Sequence, residues 1–279
     1  QPSTRCSPPR RRMTMREPRI VVCMKIVPKP EEIRVNPQTH LLERANVRTE
    51  INPPDMNAIE LALSLHNEYG GTIDILSMGP PSFETDLRVG LAMGADHLYL
   101  LSDRAFGGAD TLATTYTLAQ GIRKMGAVDV IVLGEESSDG ATGQVPQGLA
   151  EWLDLPQLTL LTDLSLDVEA GTARGRRAIK GGYEILEVPL PCVVSVKTAC
   201  NEPRFMDYRL RTQAADADRL TVWNAQDLNT DPECTGLAGS PTEVTGLASA
   251  SLRDRKKIRI DGSPEEITAK LVELIRQWL

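Results

Sequence analysis

A glycine-rich segment holds the residue types that point most directly to chemistry in this sequence of 279 residues. Residues 134–145 read GEESSDGATGQV, after an apolar run at 129–134 and at the start of the helical pattern GQVPQGLAEWL. Free N–H groups at a helix start attract phosphate, and small residues let an anion approach the backbone closely. The segment predicts a nucleotide-binding loop, although it has neither a GxGxxG fingerprint nor the lysine of a P-loop. An ordinary strand–helix connection, with Asp139 or Thr142 as the N-cap, is the alternative that spacing leaves open.

A second group of candidates lies near the ends of the first two predicted strands. The run Asn52-Pro53-Pro54-Asp55 opens a helical pattern, where Asn52 suits the N-cap and Pro53 the first helical position. Cys23 and Met78 stand at strand ends that point to the same edge of the sheet. Taken alone, these residue types favour capping and packing over ligand binding, since buried cysteine and methionine side chains usually pack in a core.

No constellation for acid–base, nucleophilic or metal chemistry stands out in the sequence. The three histidines, at positions 40, 66 and 97, show no paired metal spacing, and there is no GxSxG nucleophile elbow. The five cysteines are scattered and never form CxxC: Cys6, Cys23, Cys192, Cys200 and Cys234. They predict reduced thiols in a cytoplasmic protein. A cysteine-dependent hydrolase using Cys23 or Cys192 has little support, because no histidine is positioned to activate a thiol.

Composition narrows the class of protein further. A hydrophobic fraction of 41% is enough for a sizeable core, which excludes a wholly disordered chain. The net charge of -7 argues against general nucleic-acid binding, and no apolar run approaches the roughly 18 residues of a membrane span. Residues 1–19 differ from the rest, with six arginines and one glutamate but no apolar stretch of a secretory signal. We therefore expect residues 1–18 to be a disordered extension outside the fold.

The candidate residues belong to a pattern of alternating strands and helices. Near-continuous apolar runs predict strands at 19–27, 72–78, 97–101 and 129–134. Helical patterns that end at glycine separate these strands, at 55–71, 82–94 and 109–126. Units of this kind imply a mostly parallel sheet that helices cover on both faces. The predicted fold class is α/β and doubly wound.

Beyond Pro156 the pattern changes. Alternating polar and apolar residues predict strands at 164–170, 173–179, 183–189 and 191–197, with a hairpin turn at Gly181-Gly182. Residues 213–255 are polar and cannot bury much apolar surface alone. We expect them to form a loop, or an arm that lies on something else.

A further helix is predicted after this polar region. Ser263-Pro264-Glu265-Glu266 is a capping box with proline at the first helical position. An apolar stripe follows it: Ile267, Leu271, Leu274, Ile275 and Trp278. A capped helix with one apolar face beyond a polar arm predicts docking, either on its own domain or on a partner.

Several short motifs occur in one order along the chain and together resemble a known family. They are IVVCMKIVPKPEEIRV, INPPDMNAIELAL, ILSMGPP, LAMGADHLYLL, VIVLGEESSDGATGQVPQGLAEWLDLP, IKGGYEILEVPLPCVV and NEPRF. From residue 19 to 212 the chain resembles the β subunit of electron transfer flavoproteins, and residues 213–279 resemble it loosely. The implied division is an extension at 1–18, a nucleotide-binding α/β domain at 19–212, and at 213–279 an arm with a helix that docks on the partner subunit.

The resemblance implies a fold, a partner and cofactors. The fold would be a doubly wound α/β domain of the adenine-nucleotide-binding type, paired with an α subunit in a heterodimer. FAD shared between the subunits would accept electrons from flavin dehydrogenases and pass them to an acceptor oxidoreductase. The β subunit itself would hold a second adenine nucleotide, AMP or FAD. An adenine-nucleotide sensor module without a redox role is the alternative, but such modules are shorter and lack the long arm.

The resemblance also carries site residues onto this sequence. Backbone amides from Ala141 to Val145 would hold phosphate, and the residues at the strand ends would line an adenine pocket. The implied cofactor-binding residues are Cys23, Asn52, Pro53, Pro54, Asp55, Met78, Glu136, Ser137, Ser138, Asp139, Gly140, Ala141, Thr142, Gly143, Gln144, Val145, Pro146 and Gln147. The resemblance implies no catalytic residue and no metal ligand.

Departures from the usual family pattern bear on function. DGATGQV, INPPDM and KIVP are similar to the bifurcating and carnitine-linked branch; in its bifurcating members a second FAD occupies the β site and NADH reduces it. Tyr208 stands where the recognition segment for dehydrogenases normally has leucine, so we do not expect the usual docking to carry over unchanged. Pro30 occupies the position of an aromatic residue that reaches the shared flavin in some members.

Overall fold

The computed structural model describes residues 17–29, 48–242 and 258–277, which form a nine-stranded sheet, a separate two-stranded ribbon and the surrounding helices. The strands are β1 (Arg19–Cys23), β2 (Ile26–Pro28), β3 (Thr49–Ile51), β4 (Thr72–Met78), β5 (His97–Leu101), β6 (Val130–Gly134), β7 (Gln157–Asp167), β8 (Thr172–Ile179), β9 (Gly182–Pro189), β10 (Cys192–Val196) and β11 (Leu220–Trp223). The helices are α1 (Pro53–Tyr69), α2 (Glu84–Met93), α3 (Thr111–Met125), α4 (Val145–Leu153), α5 (Tyr208–Gln213), α6 (Ala225–Leu228) and α7 (Pro264–Arg276).

Most of the large sheet is parallel. Its strand order is β11-β5-β4-β1-β6-β10-β7-β8-β9, and every neighbouring pair from β11 to β7 is parallel. The last two strands, β8 and β9, extend it antiparallel, and β2 pairs with β3 in the ribbon. Parallel neighbours need long crossover connections, most of which are helices in this chain. The carboxyl ends of the parallel strands therefore meet at one edge of the sheet.

Helices cover both faces of the parallel strands. On one face Ile20 and Val22 pack with α1 and α2, and on the other Val21 and Ile131 pack with α3 and α4. These four side chains are at most 1% exposed. Because both faces are buried, such strands need apolar residues at successive positions, which explains the continuous apolar runs in the sequence. The prediction of a doubly wound α/β fold is confirmed.

The predicted strand at 19–27 is wrong in its length, because the chain leaves the sheet after Cys23. Ile26–Pro28 forms β2, which pairs with β3 in the ribbon. Between the two strands, the backbone N–H of Lys25 donates to the Asp55 carboxylate at 2.8 Å. The break places Met24 and Lys25 at the carboxyl edge of the sheet.

Three of the four strands predicted after Pro156 form close to their predicted positions, but the first is displaced: β7 spans Gln157–Asp167, against the predicted 164–170. β8 and β9 make the hairpin at Gly181-Gly182, where Ile179 lies opposite Gly182. The predicted strand at 191–197 does not join this antiparallel group. It forms β10, which runs parallel between β6 and β7 with all five residues buried.

Part of the predicted polar arm belongs to the sheet. Residues 220–223 form β11, which pairs in parallel with β5 at the sheet edge, so a loop or arm is the wrong prediction for them. Leu220 packs on the core of one face and Trp223 on the core of the other. Backbone pairing with β5 and these two side chains hold β11 in the sheet, although the surrounding segment is polar. Residues 1–16 of the predicted extension, residues 243–257 of the arm, Pro30 and Trp278 lie outside the described residues.

The predicted C-terminal helix forms with its capping box. The Glu266 N–H donates to Ser263 Oγ at 3.3 Å, and the Ser263 N–H donates to Glu266 Oε2 at 2.9 Å. No residue of α7 is buried in the described chain, and Leu271 and Ile275 are 48% and 49% exposed. Neither this helix nor any other in the described ranges is long and apolar enough to cross a membrane.

Gly134, the last residue of β6, lets α1 start close against the sheet. A Cβ at this position would lie 2.5 Å from Asp55 Oδ1 and 2.6 Å from Pro54 Cβ. We expect Gly134→Ala to lower the free energy of unfolding by about 1–3 kcal/mol, because the start of α1 must move to make room. Chemical denaturation of the purified protein measures this loss.

Gly182→Ala is the matched control, because a Cβ at Gly182 has nothing within 4 Å. This substitution should change the free energy of unfolding by less than about 0.5 kcal/mol. Equal losses in the two variants would contradict the explanation by close packing.

Candidate functional site

A cavity of about 580 Å³ opens at the carboxyl edge of the parallel sheet. Its wall includes Cys23 of β1, Met78 of β4, Gly134 of β6 and the start of α4 at Val145. After β1 the chain adds β4 and β5 on one side of that strand, and later adds β6 on the other. Open α/β sheets bind ligands at such a switch point, and the volume is typical of small-molecule sites.

Asp55 joins the ends of two strands to the first turn of α1. Its Oδ2 accepts a hydrogen bond from the N–H of Lys25 at 2.8 Å, and its Oδ1 accepts one from the N–H of Gly134 at 3.1 Å. The side chain is almost fully buried. Burial raises the pKa of Asp55 to about 7, although these donors, Asn52 and the charge of Lys25 act in the opposite direction.

Asn52 occupies the N-cap of α1 as predicted, but its side chain does not cap the helix. Its amide nitrogen donates to the carbonyl oxygen of Glu136 at 2.9 Å, and its amide oxygen accepts from the N–H of Ser138 at 3.0 Å. These bonds hold the glycine-rich loop against the start of α1. Ser137, between the two bonded residues, lines the cavity.

The glycine-rich loop reaches α4 through left-handed backbone conformations. Ala141 has a φ of 47° and Gly143 a φ of 60°. The N-cap of α4 is Gln144, so Asp139 and Thr142 are wrong as predicted N-caps, and Gln144 makes no side-chain capping bond. An anion at this helix start would satisfy N–H groups that a capping side chain otherwise takes.

The inner wall of the cavity is apolar. It is formed by Cys23, Leu76, Met78, Phe106, Leu118 and Leu133. Burial, with a smaller effect from the Asp55 charge, raises the pKa of the Cys23 thiol, and burial raises that of Cys192 to about 12. Neutral buried thiols are packing groups rather than nucleophiles, so a cysteine hydrolase gains no support. The wall suits a flat aromatic ring.

Lys25 is a cavity residue that the sequence analysis missed. Its Nζ lies 2.6 Å and 2.9 Å from the two carboxylate oxygens of Asp139, and 3.3 Å from Ser137 Oγ. Lys25 interrupts an apolar run near the end of a predicted strand, and this pattern could have identified it as a candidate site residue. Lys25 thus brings a cation to the loop that was predicted to bind phosphate.

Another part of the cavity rim joins the start of α3 to residues 240–242. Asp110 Oδ1 accepts from the N–H groups of Leu112 and Ala113, and Oδ2 accepts from the N–H and the hydroxyl of Thr242, at 3.1 Å and 2.7 Å. The Asp110 N–H donates to Ser240 Oγ at 2.8 Å. Asp110 and Thr242 both line the cavity, and no local pattern in the sequence links them.

The structure brings twelve of the eighteen predicted site residues to the cavity wall: Cys23, Asn52, Asp55, Met78, Glu136, Ser137, Gly140, Thr142, Gly143, Gln144, Val145 and Pro146. The other six do not line it: Pro53, Pro54, Ser138, Asp139, Ala141 and Gln147. Three of these six still hydrogen-bond to wall residues, since Ser138 bonds to Asn52, Asp139 to Lys25 and Ala141 to Ser137. Contact of any of the eighteen with a ligand stays a prediction.

The arrangement is chemically suited to holding a nucleotide. A base can lie on the apolar wall while its phosphate meets the loop, the start of α4 and Lys25. Asp55 and Asp110, two of the carboxyl groups on the wall, already accept backbone hydrogen bonds. In the described ranges, no group of three or more His, Cys, Asp or Glu side chains could hold a metal ion.

Comparison with known proteins identifies the family of the chain. The family described as "Electron transfer flavoprotein domain" matches residues 39–228. The chain is 39% identical over 260 residues to "Caffeyl-CoA reductase-Etf complex subunit CarD" of Acetobacterium woodii, across 93% of this chain and 98% of that protein. It is 39% identical over 258 residues to "Electron transfer flavoprotein subunit beta" of Clostridium acetobutylicum, with 92% and 98% covered. It is 41% identical over 250 residues to "Protein FixA" of Azorhizobium caulinodans, with 88% and 89% covered.

The fold, the cavity and these matches define the class of protein: the chain belongs to the electron transfer flavoprotein family. Its similarity covers nearly the full length of relatives that are β subunits. The chain therefore acts in electron transfer as one subunit of a flavoprotein heterodimer, which confirms the predicted family and role. The alternative of a nucleotide sensor without a redox role is not favoured.

The raised pKa of Asp55 predicts a pH dependence of stability. The folded chain prefers the protonated carboxyl, so its contribution is fully present below the ordinary pKa of 3.8 and is lost as pH rises through about 7. Between pH 4 and pH 8 the free energy of unfolding should fall by up to about 4 kcal/mol from this group. Chemical denaturation of the purified protein at several pH values measures the slope.

Asp55→Asn is the matched variant, because an amide keeps the shape but does not titrate. Its amide nitrogen cannot accept an N–H bond, so we expect a loss of about 1–3 kcal/mol at pH 5. The difference in stability between wild type and variant should shrink as pH rises. Parallel pH profiles for the two proteins would contradict the raised pKa.

Proposed function

We propose that this β subunit shares FAD with an α subunit and holds a second adenine nucleotide in the cavity at the carboxyl edge of its sheet. Electrons would arrive from a flavin dehydrogenase and leave to an acceptor oxidoreductase through the shared FAD. One observation carries the nucleotide proposal: an apolar wall, an uncapped helix start and Lys25 converge on a single cavity.

The second nucleotide is AMP or FAD in this proposal. Both contain adenosine 5′-phosphate, so the same wall and loop would serve either one. The motifs DGATGQV, INPPDM and KIVP favour FAD, and with it NADH as the reductant of that flavin. One relative is named as a subunit of a caffeyl-CoA reductase complex, which supports an oxidoreductase as a partner.

The C-terminal region supports an α-subunit partner. The capped helix α7 leaves Leu271, Val272 and Ile275 between 42% and 49% exposed. An apolar helix face that no other described residue covers is typical of a docking element. We propose that α7 docks on the α subunit, while β11 stays with the sheet of its own chain.

A fixed segment near α5 is the proposed contact for the electron-transfer partner. Glu60 of α1 accepts from Arg204 at three donors, the backbone N–H, Nε and Nη2, at 3.0, 2.8 and 2.8 Å. Just beyond this anchor, Phe205 is 97% and Tyr208 79% exposed. Tyr208 in place of leucine supports a partner surface that differs from the usual dehydrogenase contact.

A cytoplasmic location is part of the proposal, and the cysteines support it. Four of the five cysteines fall in the described ranges, and each of these four has a free thiol: Cys23, Cys192, Cys200 and Cys234. Free thiols are usual in reducing compartments.

Co-purification with the α subunit tests the function directly. The heterodimer should be yellow, and acid extraction should release one FAD together with either AMP or a second FAD. Two FAD per heterodimer would support the bifurcating type, and one FAD with one AMP the plain carrier. A colourless heterodimer without adenine nucleotide would contradict the proposal.

Gly143→Glu tests whether the loop holds the phosphate. Gly143 has a φ of 60°, and a Cβ there meets only Glu135 O at 3.5 Å, so the side chain fits but is strained. The carboxylate would repel phosphate and block the loop amides. We expect a loss of about 2–4 kcal/mol in nucleotide binding, seen as loss of the second nucleotide from the purified heterodimer.

Gly171→Glu is the matched control for charge and strain. Gly171 has a φ of 68° in the turn between β7 and β8, with nothing within 4 Å of an added Cβ. Both variants should lose similar stability from the left-handed backbone, but only Gly143→Glu should lose nucleotide. A full complement of the second nucleotide in a folded Gly143→Glu heterodimer would disprove the loop assignment.

A further inference from the structure

The charges on the cavity wall are unbalanced for a ligand that carries phosphate. Among the described residues, three carboxyl groups line the cavity, those of Asp55, Asp110 and Glu136, against one cation, Lys25. The carboxyl groups of Asp55 and Asp110 are held by backbone donors and cannot leave the wall. Burial raises the pKa of Asp55 and favours its neutral form, so the like charge that Lys25 offsets for an entering phosphate is that of the other wall carboxylates.

Lys25 is placed where the phosphate is expected. Its backbone N–H is fixed by Asp55, while its Nζ reaches the loop at Asp139 and Ser137. Ser137 and the following loop residues Gly140, Thr142 and Gly143 also line the cavity. The ammonium group thus lies beside the glycine-rich loop at the cavity wall.

Asp139 engages Lys25 without entering the cavity wall. The ion pair is 2.6 Å long and open to water, with the two side chains 48% and 30% exposed. Burial by itself would raise the pKa of Asp139, but the hydrogen bonds and charge of Lys25 lower it below its ordinary value. The pair is therefore charged at neutral pH. Exposed ion pairs contribute little stability, whereas a phosphate offers up to two charges and three acceptor oxygens.

We propose that Lys25 recognises the phosphate of the bound nucleotide, and that Asp139 holds Lys25 in an ion pair which the phosphate replaces. Asp139 is then a positioning residue that competes with the ligand for one cation. This inference rests on the proposed nucleotide binding and adds the residue that distinguishes a nucleotide from a nucleoside. AMP is a suitable probe, because it is also the adenylate half of FAD.

Binding of AMP and adenosine to the nucleotide-stripped heterodimer tests the proposal. Equilibrium dialysis or calorimetry should show that Lys25→Gln weakens the binding of AMP by at least about tenfold. This is the loss of affinity expected for one charge-assisted hydrogen bond. The affinity for adenosine should change by less than about twofold, since adenosine has no phosphate that could contact Lys25. Asp139→Asn should increase the affinity for AMP by about two- to fivefold, because Lys25 is no longer paired with a carboxylate.

Two further variants distinguish a specific role of Lys25 in phosphate binding from an effect of overall charge or of lost folding. Lys29→Gln removes a neighbouring cation that pairs with Glu50 at 3.7 Å and does not line the cavity, so AMP binding should stay unchanged. Lys25→Arg keeps the charge and should retain most of the AMP affinity. Melting temperatures of all variants confirm that each is folded before affinities are compared.

Each other outcome overturns the proposal in a recognisable way. Unchanged AMP affinity in Lys25→Gln would show that Lys25 does not bind the phosphate. Equal losses of AMP and adenosine affinity would show that Lys25 only supports the structure of the cavity. Weaker AMP binding in Asp139→Asn disproves the competition. If wild type binds neither AMP nor adenosine, the proposed nucleotide function itself fails, which is a different result from failure of Lys25 alone.

Discussion

The Asp55 carboxylate makes the pair of hydrogen bonds on which the site depends. One oxygen accepts from the chain just after β1 and the other from the last residue of β6, while Asp55 itself lies in the first turn of α1. Three elements that are distant in sequence are fixed by one side chain. Gly134 is part of the same constraint, because only a residue without a Cβ lets the start of α1 come this close. The edge of the sheet is held open as a cavity by this arrangement.

Helix α1 then connects the cavity to the segment that we propose as a partner contact. Its first residues hold the strand ends and the glycine-rich loop, through Asp55 and Asn52. One to two turns further on, Asn57 donates to the Asn201 carbonyl at 2.8 Å and Glu60 binds Arg204. Both residues are buried, and their side chains hydrogen-bond to the segment that carries the exposed Phe205. One rigid helix therefore fixes both the nucleotide cavity and the proposed contact for an electron-transfer partner.

Much of the fold could be predicted from local pattern, and the errors have physical causes. The strand at 72–78 matches β4, because a strand buried on both faces needs an unbroken apolar run. β11 was missed because its four residues are held by tertiary packing of Leu220 and Trp223, which a polar context conceals. The break after Cys23 was missed because it depends on Asp55, about thirty residues away. Apolar periodicity contains no information about such a partner.

The sequence by itself determined the α/β class, the position of the glycine-rich loop and, by resemblance, the family. These properties follow from residues close together in the chain, where periodicity, capping and small residues act locally. Only the tertiary structure decided that Asn52 holds the loop instead of capping its helix, and that Lys25 and Thr242 reach the cavity. A hydrogen bond or ion pair between distant residues depends on distance in space. The chain sets that distance only when all elements are packed together.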